Sequence, residues 1–536
     1  MKHRHAFPST FLPARRVGLW ILSALTALLL GSGCGGDKPP PVVVIGLDGA
    51  DFDLLLPWLE AGELPNLAAF LDGAAVGELE TVYPILSPVC WTSAVTGVNP
   101  GKHGIFDFQK MVPGSEEPII ETAEYRRALP IWMLLSDEGH RVAAVNVPMT
   151  YPPDPVRGVM ISGFPFPSGD VNLTYPPELQ QELGDYPIDY LGLTGTGRNT
   201  EQLFADFQHG MEVRGDIAVD YLRSGRYDFM WVVFTAPDKV QHLFWKYMEP
   251  DHPNYDAAEA ERWGSGILDL WKAQDEVLGR MLAELPEDAV VLMLSDHGFD
   301  AIRRQVNLAN WLLETDLDDL LDRYAIPPLL VTNGLLHYFV EGRLPGSADR
   351  EEFLDHFTAL LEAMQDPERG RSPIESVFRR EDIYQGRMVE KAPDVVFQES
   401  PGYYVTSGSL ESPLPPFQDL WSTGFSAYHR PHGILAVAGP MIETRTAGTL
   451  RERLDEGGDF REARILDVTP TLLALMDEIV PDVMDGRILE EVVSPEFLAR
   501  HPVRIEPVEG FLLDPLPPAP LTDEEREAMK AVPYLQ

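Results

Sequence analysis

This 536-residue chain predicts an α/β fold: a three-layer α/β/α sandwich with a mostly parallel central sheet and inserted cap regions. Three observations predict it. The apolar runs VVVIGLD ending at Asp48, FMWVVFTAPD ending at Asp238 and VVLMLSDH ending at Asp296-His297 are short and rich in β-branched residues. Such runs read as strands buried on both faces. Helix-like segments alternate with them, as the crossovers of a parallel sheet require. Each run also ends in an aspartate, and in open α/β sheets the chemistry gathers at the carboxyl ends of the strands.

The length exceeds one ordinary domain and permits a large core. Apolar content of 44% and charged content of 24% are those of a globular protein. The net charge of −42 argues against a nucleic-acid polymer as partner, because only a local patch could offset phosphate repulsion. The plain reading of the charge is a solvated acidic surface, whose field also favours divalent cations.

Residues 1–34 read as a processing segment. Lys2, Arg4, Arg15 and Arg16 form a positive start, and an apolar stretch runs from Val17 to Leu30. That length suits a signal peptide better than a spanning helix. Gly31-Ser32-Gly33-Cys34 resembles a bacterial lipobox, in which the cysteine is lipidated and becomes the new N-terminus. Gly31 stands where leucine is usual, so secretory cleavage without a lipid is the alternative. Arg15-Arg16 matches a twin-arginine signal poorly in its flanks. The expected location is the bacterial cell envelope, lipid-anchored on the periplasmic or extracellular side. Residues 35–41 form a short tether. The one other cysteine is Cys90, so there is no disulfide framework, and any metal must use oxygen and nitrogen ligands.

The rest divides into blocks. Residues 42–150 form the first part of a catalytic core, with a strand to Asp48, a helix near Pro65–Leu71, the segment SPVCWTSAVTGVNPGKHGIFDF at 87–108, and a further helix and strand. Residues 151–200 are rich in Pro, Gly and Tyr and read as an insertion or lid. Residues 201–310 return to the strand–helix–strand pattern. Residues 311–425 are mixed and read as a second insertion or cap. Residues 426–500 complete the core, with a strand near Gly433–Ala438 and a helix from Asp467 whose early proline fits a helix start. Residues 501–536 form an acidic, Pro-rich tail. No internal repeat is visible.

Several side chains in these blocks suit metal chemistry. Asp48 follows a buried strand and precedes Gly49, where it can point into a cleft or simply cap the next helix. Asp238 and His242 are spaced i, i+4 and share one face if Asp238 opens a helix. Asp296 and His297 are adjacent, so both can reach a metal only where the chain has left the strand, a turn that Gly298 suits. An uncompensated Asp-His pair at a buried strand end would be costly. A late histidine should complete the set, and His429 and His432 are the candidates. Ser87 before Pro88 fits a helix start, and a serine there beside a divalent metal is an activated nucleophile. Thr92, Ser93 and Thr96 lie within the helix and are expected to be buried or hydrogen-bonded to backbone. In the following Gly-rich loop, Lys102 and His103 read better as turn-closing residues than as substrate contacts.

Together these residues resemble the alkaline phosphatase superfamily, and most closely its branch of type I phosphodiesterases and nucleotide pyrophosphatases. The resemblance spans about 42–489 and rests on LDG at 47–49, VTGVNPGKHGI at 95–105, Asp238-x-x-x-His242, SDHG at 295–298, DVTPTLLALM at 467–476 and MDGR at 484–487. It implies an α/β/α fold, hydrolysis of a small phosphate ester, and two divalent metals, zinc favoured with manganese or iron as alternatives. It implies Asp48, Ser87, Asp296 and His297 around one metal and Asp238, His242 and a late histidine around the other. His429 looks like that ligand, with His432 as the fallback. Ser87 lies ten residues before Gly97, the register of the branch's nucleophile, and is the expected catalytic residue.

Two departures stand out. Phe108 occupies the place of an asparagine that helps hold the phosphate oxygen in the nucleotide enzymes, with Asp107 before it. SPVCWTSA also replaces their phenylalanine–proline–asparagine–histidine pattern. Lys102 and Asp107 are the candidate substrate-binding residues. Phosphodiester or pyrophosphate cleavage is the expected reaction. A phosphomonoesterase, sulfatase or phosphotransferase is the nearest alternative, although Ser87-Pro88-Val89-Cys90 lacks the arginine of sulfatase motifs. A catalytically inactive, lipid-anchored binding protein is the alternative of another class, and the filled metal positions argue against it.

Overall fold

The structure is a computed structural model that describes residues 40–515, apart from 111–118, 168–170, 185, 189–197, 316–330, 333–334, 337–346, 407–413, 420–423 and 445–446. The signal segment, Cys34 and most of the tether therefore lie outside the described residues, as do residues 516–536.

The centre is an eight-stranded sheet. Its strands are β1 (Val42–Leu47), β2 (Ala75–Glu80), β3 (Val142–Val147), β4 (Gly158–Ser162), β5 (Thr174–Tyr175), β6 (Phe229–Phe234), β7 (Val290–Leu294) and, late in the chain, His432–Ala438. Two short strands between them, β8 (Gly298–Ala301) and β9 (Ala427–Arg430), pair antiparallel above the sheet, so His432–Ala438 is β10. The order is β2-β10-β7-β1-β6-β3-β4-β5. The run β7-β1-β6-β3-β4 is parallel throughout, and β10 and β5 are antiparallel to their neighbours. The expectation of a largely parallel sheet is met.

Alternate residues of each strand enter opposite cores, as period-two geometry demands. Val43, Ile45 and Leu47 pack with α1 (Phe52–Glu60), α2 (Pro65–Gly73), α5 (Thr200–Ser224), α6 (Ala236–Met248) and α7 (Gly266–Leu282). Val42 and Val44 pack with α3 (Ser87–Thr96), α4 (Ile131–Asp137) and α8 (Val468–Leu475). Helices thus cover both faces, which explains why the strands read as continuous apolar runs.

Local signals set the helix starts. The Asp51 carboxylate accepts the Asp53 amide at the start of α1. Pro88 and Pro237 sit in the first turns of α3 and α6. Gly97 closes α3 in the left-handed conformation (φ 67°).

Residues 151–200 contribute β4 and β5 to the edge of the main sheet. The apolar run Val159–Ile161 that pairs with β3 is short and lies among prolines and glycines, so its strand character is masked in the composition. The 311–425 region carries its own small core, in which Phe353, Phe357 and Leu361 pack with Val395, Phe397 and Val405. In the tail, Arg504–Glu506 is exposed and pairs with Ile479–Pro481.

Candidate metal centre and nucleophile

Three adjacent parallel strands deliver the acids. Gly46 pairs with Leu294 across β1 and β7, so Asp48 and Asp296, two residues further on, stand level. Leu47 pairs with Phe234 of β6, and Asp238 follows in the first turn of α6. Neighbouring strands are about 4.8 Å apart, which suits carboxylates that share ions. All three aspartates are buried, at 1%, 9% and 0% exposure for Asp48, Asp238 and Asp296.

The backbone around them is built for close approach. A Cβ on Gly298 would lie 2.2 Å from the His432 carbonyl oxygen and 2.3 Å from Asp51 Oδ2. The turn that separates His297 from the strand therefore needs glycine for space rather than for a positive φ. Asp51 Oδ2 also accepts the Phe299 amide at 3.0 Å, and Gln241 Nε2 donates to the Gly49 carbonyl at 2.8 Å. Asp51 and Gln241 escape a reading by motif. The aspartate three residues after Asp48 and the glutamine beside His242 are the signals that could have found them.

The first cluster is Asp238, His242 and His429. His242 Nδ1 donates to the Ala427 carbonyl and His429 Nδ1 to the Ile85 carbonyl, each at 2.9 Å. A carbonyl only accepts, so both protons sit on Nδ1 and both Nε2 atoms present lone pairs. Those Nε2 atoms are 3.0 Å apart, and each is 3.3 Å from Asp238 Oδ1. Three acceptors face one another, and Asp238 Oδ1 has no hydrogen-bond donor. A cation satisfies this arrangement.

The second cluster gathers Asp48, Asp296, His297 and Ser87. His297 Nε2 lies 3.6 Å from Asp48 Oδ1, 3.3 Å from Asp296 Oδ2 and 3.5 Å from Ser87 Oγ. The outer carboxylate oxygens are occupied. Asp48 Oδ2 accepts the Trp91 indole N–H at 3.1 Å, and Asp296 Oδ1 accepts the Gly49 amide at 3.4 Å. The inner ones, Asp48 Oδ1 and Asp296 Oδ2, have no donor. Ligand atoms of Asp238 lie within 4.8 Å of those of Asp48 and His297 as well as those of the two other histidines, so this carboxylate stands between both clusters.

Protonation reflects the crowding. Burial, then the Asp296 and Asp238 charges, holds the Asp48 carboxyl well above the usual carboxylate range. Burial and then Asp238 do the same to Asp296. Burial lowers His297 and His429, keeping both imidazoles neutral and able to ligate. The donor set of carboxylates and imidazoles without thiolate fits divalent zinc, manganese or iron. Two candidate sites for divalent metal are therefore present.

The remaining expected residues fall as follows. Ser87 opens α3 and reaches the cluster through His297. Thr92 and Thr96 donate to carbonyls one turn back, and Ser93 Oγ lies 2.9 Å from His103 Nε2. Burial lowers His103 to about 3, so it stays neutral and braces the loop. His432 is exposed at the start of β10, whereas His429 is buried in the cluster. Lys102 ion-pairs with Asp485 and donates to the Val483 carbonyl, the turn-closing role. Asp107 is buried and accepts the Phe108 amide.

Residues 42–431 match the family described as type I phosphodiesterase / nucleotide pyrophosphatase. The chain belongs to this family. As a type I phosphodiesterase / nucleotide pyrophosphatase it is a metal-dependent hydrolase acting on phosphate esters. Among solved structures it is similar to phosphonoacetate hydrolase from Sinorhizobium meliloti 1021, in complexes with phosphonoformate and with phosphonoacetate. Each match has a TM-score of 0.51 and 18% identity over 81% of this chain and 94% of that one. That likeness is one of fold. Murine ectonucleotide pyrophosphatase / phosphodiesterase 5 matches with a TM-score of 0.48 and 15% identity, over 82% of this chain and 95% of that one. Among the described residues of this phosphodiesterase-family chain, no helix is long and apolar enough to cross a membrane.

Proposed function

We propose that the protein cleaves phosphodiesters or pyrophosphates through a covalent phosphoserine at Ser87, with two zinc ions as its resident metals. The observation that carries this reading is Ser87 Oγ at 3.5 Å from His297 Nε2, at the N-terminus of a helix. Two divalent ions bound by these side chains would lower the pKa of the serine hydroxyl and of water and neutralise phosphoryl charge. Ser87 loses its proton and its Oγ attacks phosphorus. The Oγ–P bond forms as the bond to the leaving oxygen breaks, and that oxygen takes up a proton. Water then attacks phosphorus, the Oγ–P bond breaks and Ser87 regains its proton. The N-terminus of α3 adds positive potential beside the phosphoryl oxygens. Asp48, Asp238, Asp296, His242, His297 and His429 are the proposed metal ligands, and Lys102 and Asp107 act from the fold around the substrate loop.

Ser87→Ala should retain two metals per chain and lose turnover of bis(p-nitrophenyl) phosphate by several orders of magnitude. Full activity in that variant removes Ser87 from the mechanism. The same assay with mono-aryl phosphate and aryl sulfate ranks the alternative esters. The leader reading belongs to the same proposal: export, cleavage before Cys34 and lipid attachment there, with the enzyme held at the envelope. Radiolabelled palmitate should enter the wild-type chain and not Cys34→Ala, and equal labelling of both refutes the anchor.

A further inference from the structure

We infer that Trp91 is a positioning residue for the metal centre: its indole N–H holds the outer oxygen of Asp48 and thereby ties the serine-bearing helix to a metal-ligand strand. This rests on the reading that Asp48 holds a divalent ion, and it goes beyond that reading in assigning the group that aims it.

Two independent observations carry it. The first is the hydrogen bond. Trp91 Nε1 donates to Asp48 Oδ2 at 3.1 Å, while Asp48 Oδ1 has no donor and faces His297 Nε2. An indole can only donate, so it fixes which carboxylate oxygen is occupied and which one is presented. The second is the space made for the ring. Gly46 sits inside β1, two residues before Asp48. A Cβ there would lie 2.5 Å from Trp91 Cη2 and 2.9 Å from Val233 Cγ2. Glycine weakens a strand interior, and its φ here is not one that requires glycine. Its place is explained by the close approach of the indole to the strand.

The helix geometry gives the contact its consequence. Trp91 follows Ser87 by four residues, so both side chains leave α3 on one face. Ser87 Oγ points at His297, and Trp91 Nε1 at Asp48. A shift of α3 along its axis would move the hydroxyl and the Asp48 carboxylate together. Trp91 is fully buried among Val44, Val233 and Leu292, so the ring has no freedom to release the bond. Outer partners of metal ligands commonly govern affinity by ten- to a hundredfold.

The test uses the full chain stripped of metal and titrated with zinc. Trp91→Phe keeps an aromatic ring of smaller size and removes the donor, and Gly46→Ala keeps the donor and displaces the ring. Both should raise the apparent zinc dissociation constant about ten- to a hundredfold. Excess zinc should restore kcat to within a few-fold of wild type. Unchanged zinc affinity in both variants, with only thermal stability lost, makes Trp91 a core residue and overturns the inference. If neither variant folds, the indole ¹H–¹⁵N spectrum of the wild-type protein decides. One indole resonance should move on zinc addition and should already be displaced in metal-free Asp48→Asn; no such resonance also overturns it. A wild-type chain that binds no zinc would instead refute the metal reading, so the two failures are distinguishable.

Discussion

Metal binding at this centre should release protons. Without a cation, burial and mutual repulsion hold Asp48 and Asp296 well above the usual carboxylate range. His297 and His429 are already neutral, because burial lowers them. The protons that zinc displaces therefore include those of Asp48 and Asp296. Each displaced proton makes the apparent affinity rise about tenfold per pH unit, or about 1.4 kcal/mol. The logarithm of the zinc association constant should climb with a slope between about one and two while these acids remain protonated, and flatten above their metal-free pKa values. Calorimetric titration of the chelator-treated enzyme from pH 5.5 to 8, in buffers of different ionisation heat, reads the proton count directly. Asp48→Asn should weaken binding and remove up to one proton from that count. A flat profile with no proton release would show that the carboxylates are ionised in the metal-free protein. The crowding argument would then be wrong.

Other consequences can be checked alongside. His429→Ala should lose one metal per chain by elemental analysis, whereas His432→Ala should match wild type within about 0.5 kcal/mol and in activity, since His432 is exposed. Lys102→Met breaks a partly exposed ion pair to Asp485, so it should cost about 1 kcal/mol in denaturant unfolding and leave metal content unchanged. Glu399 is buried, its Oε1 has no donor, and burial raises it from 4.5 to about 7. A raised acid contributes fully below its unfolded pKa and loses that contribution as pH rises through the folded value. Glu399→Gln should thus match wild type near pH 4 and exceed it by up to about 3 kcal/mol above pH 7, and equal stability at both pH values refutes the assignment.

The acids were legible because their signal is local. A buried strand must stop, and a carboxylate at the stop is conspicuous in Val42–Asp48 and Val290–Asp296. Asp238 and His242 were legible because helical spacing alone puts them on one face. The preference for His429 over His432 came from the family resemblance and not from the residues alone, because it depends on strand geometry around Pro431. His429 lies on β9 opposite Phe299 of β8 and turns inward, whereas His432 opens β10 opposite Glu80. Lys102 illustrates another limit: Asp485 takes up its charge from more than three hundred and eighty residues away. Trp91 carries no signal of its own in the sequence: it is a buried core aromatic, and its contact with Asp48 depends on the space that Gly46 leaves.

The topology explains why so few elements suffice. Asp48 and Asp296 extend neighbouring strands, Ser87 and Trp91 come from a helix on one face, and Asp238 and His242 come from a helix on the other. The candidate ligands therefore sit at the ends of packed strands, on a packed helix and on a short strand. The same arrangement makes the centre expensive to keep empty. Three buried aspartates converge there. Since the unfolded chain cannot bring these residues together, the free energy of binding a cation is also free energy of folding. On the proposed mechanism, the packing that positions Ser87 is in this way stabilised by the ions that its chemistry would require.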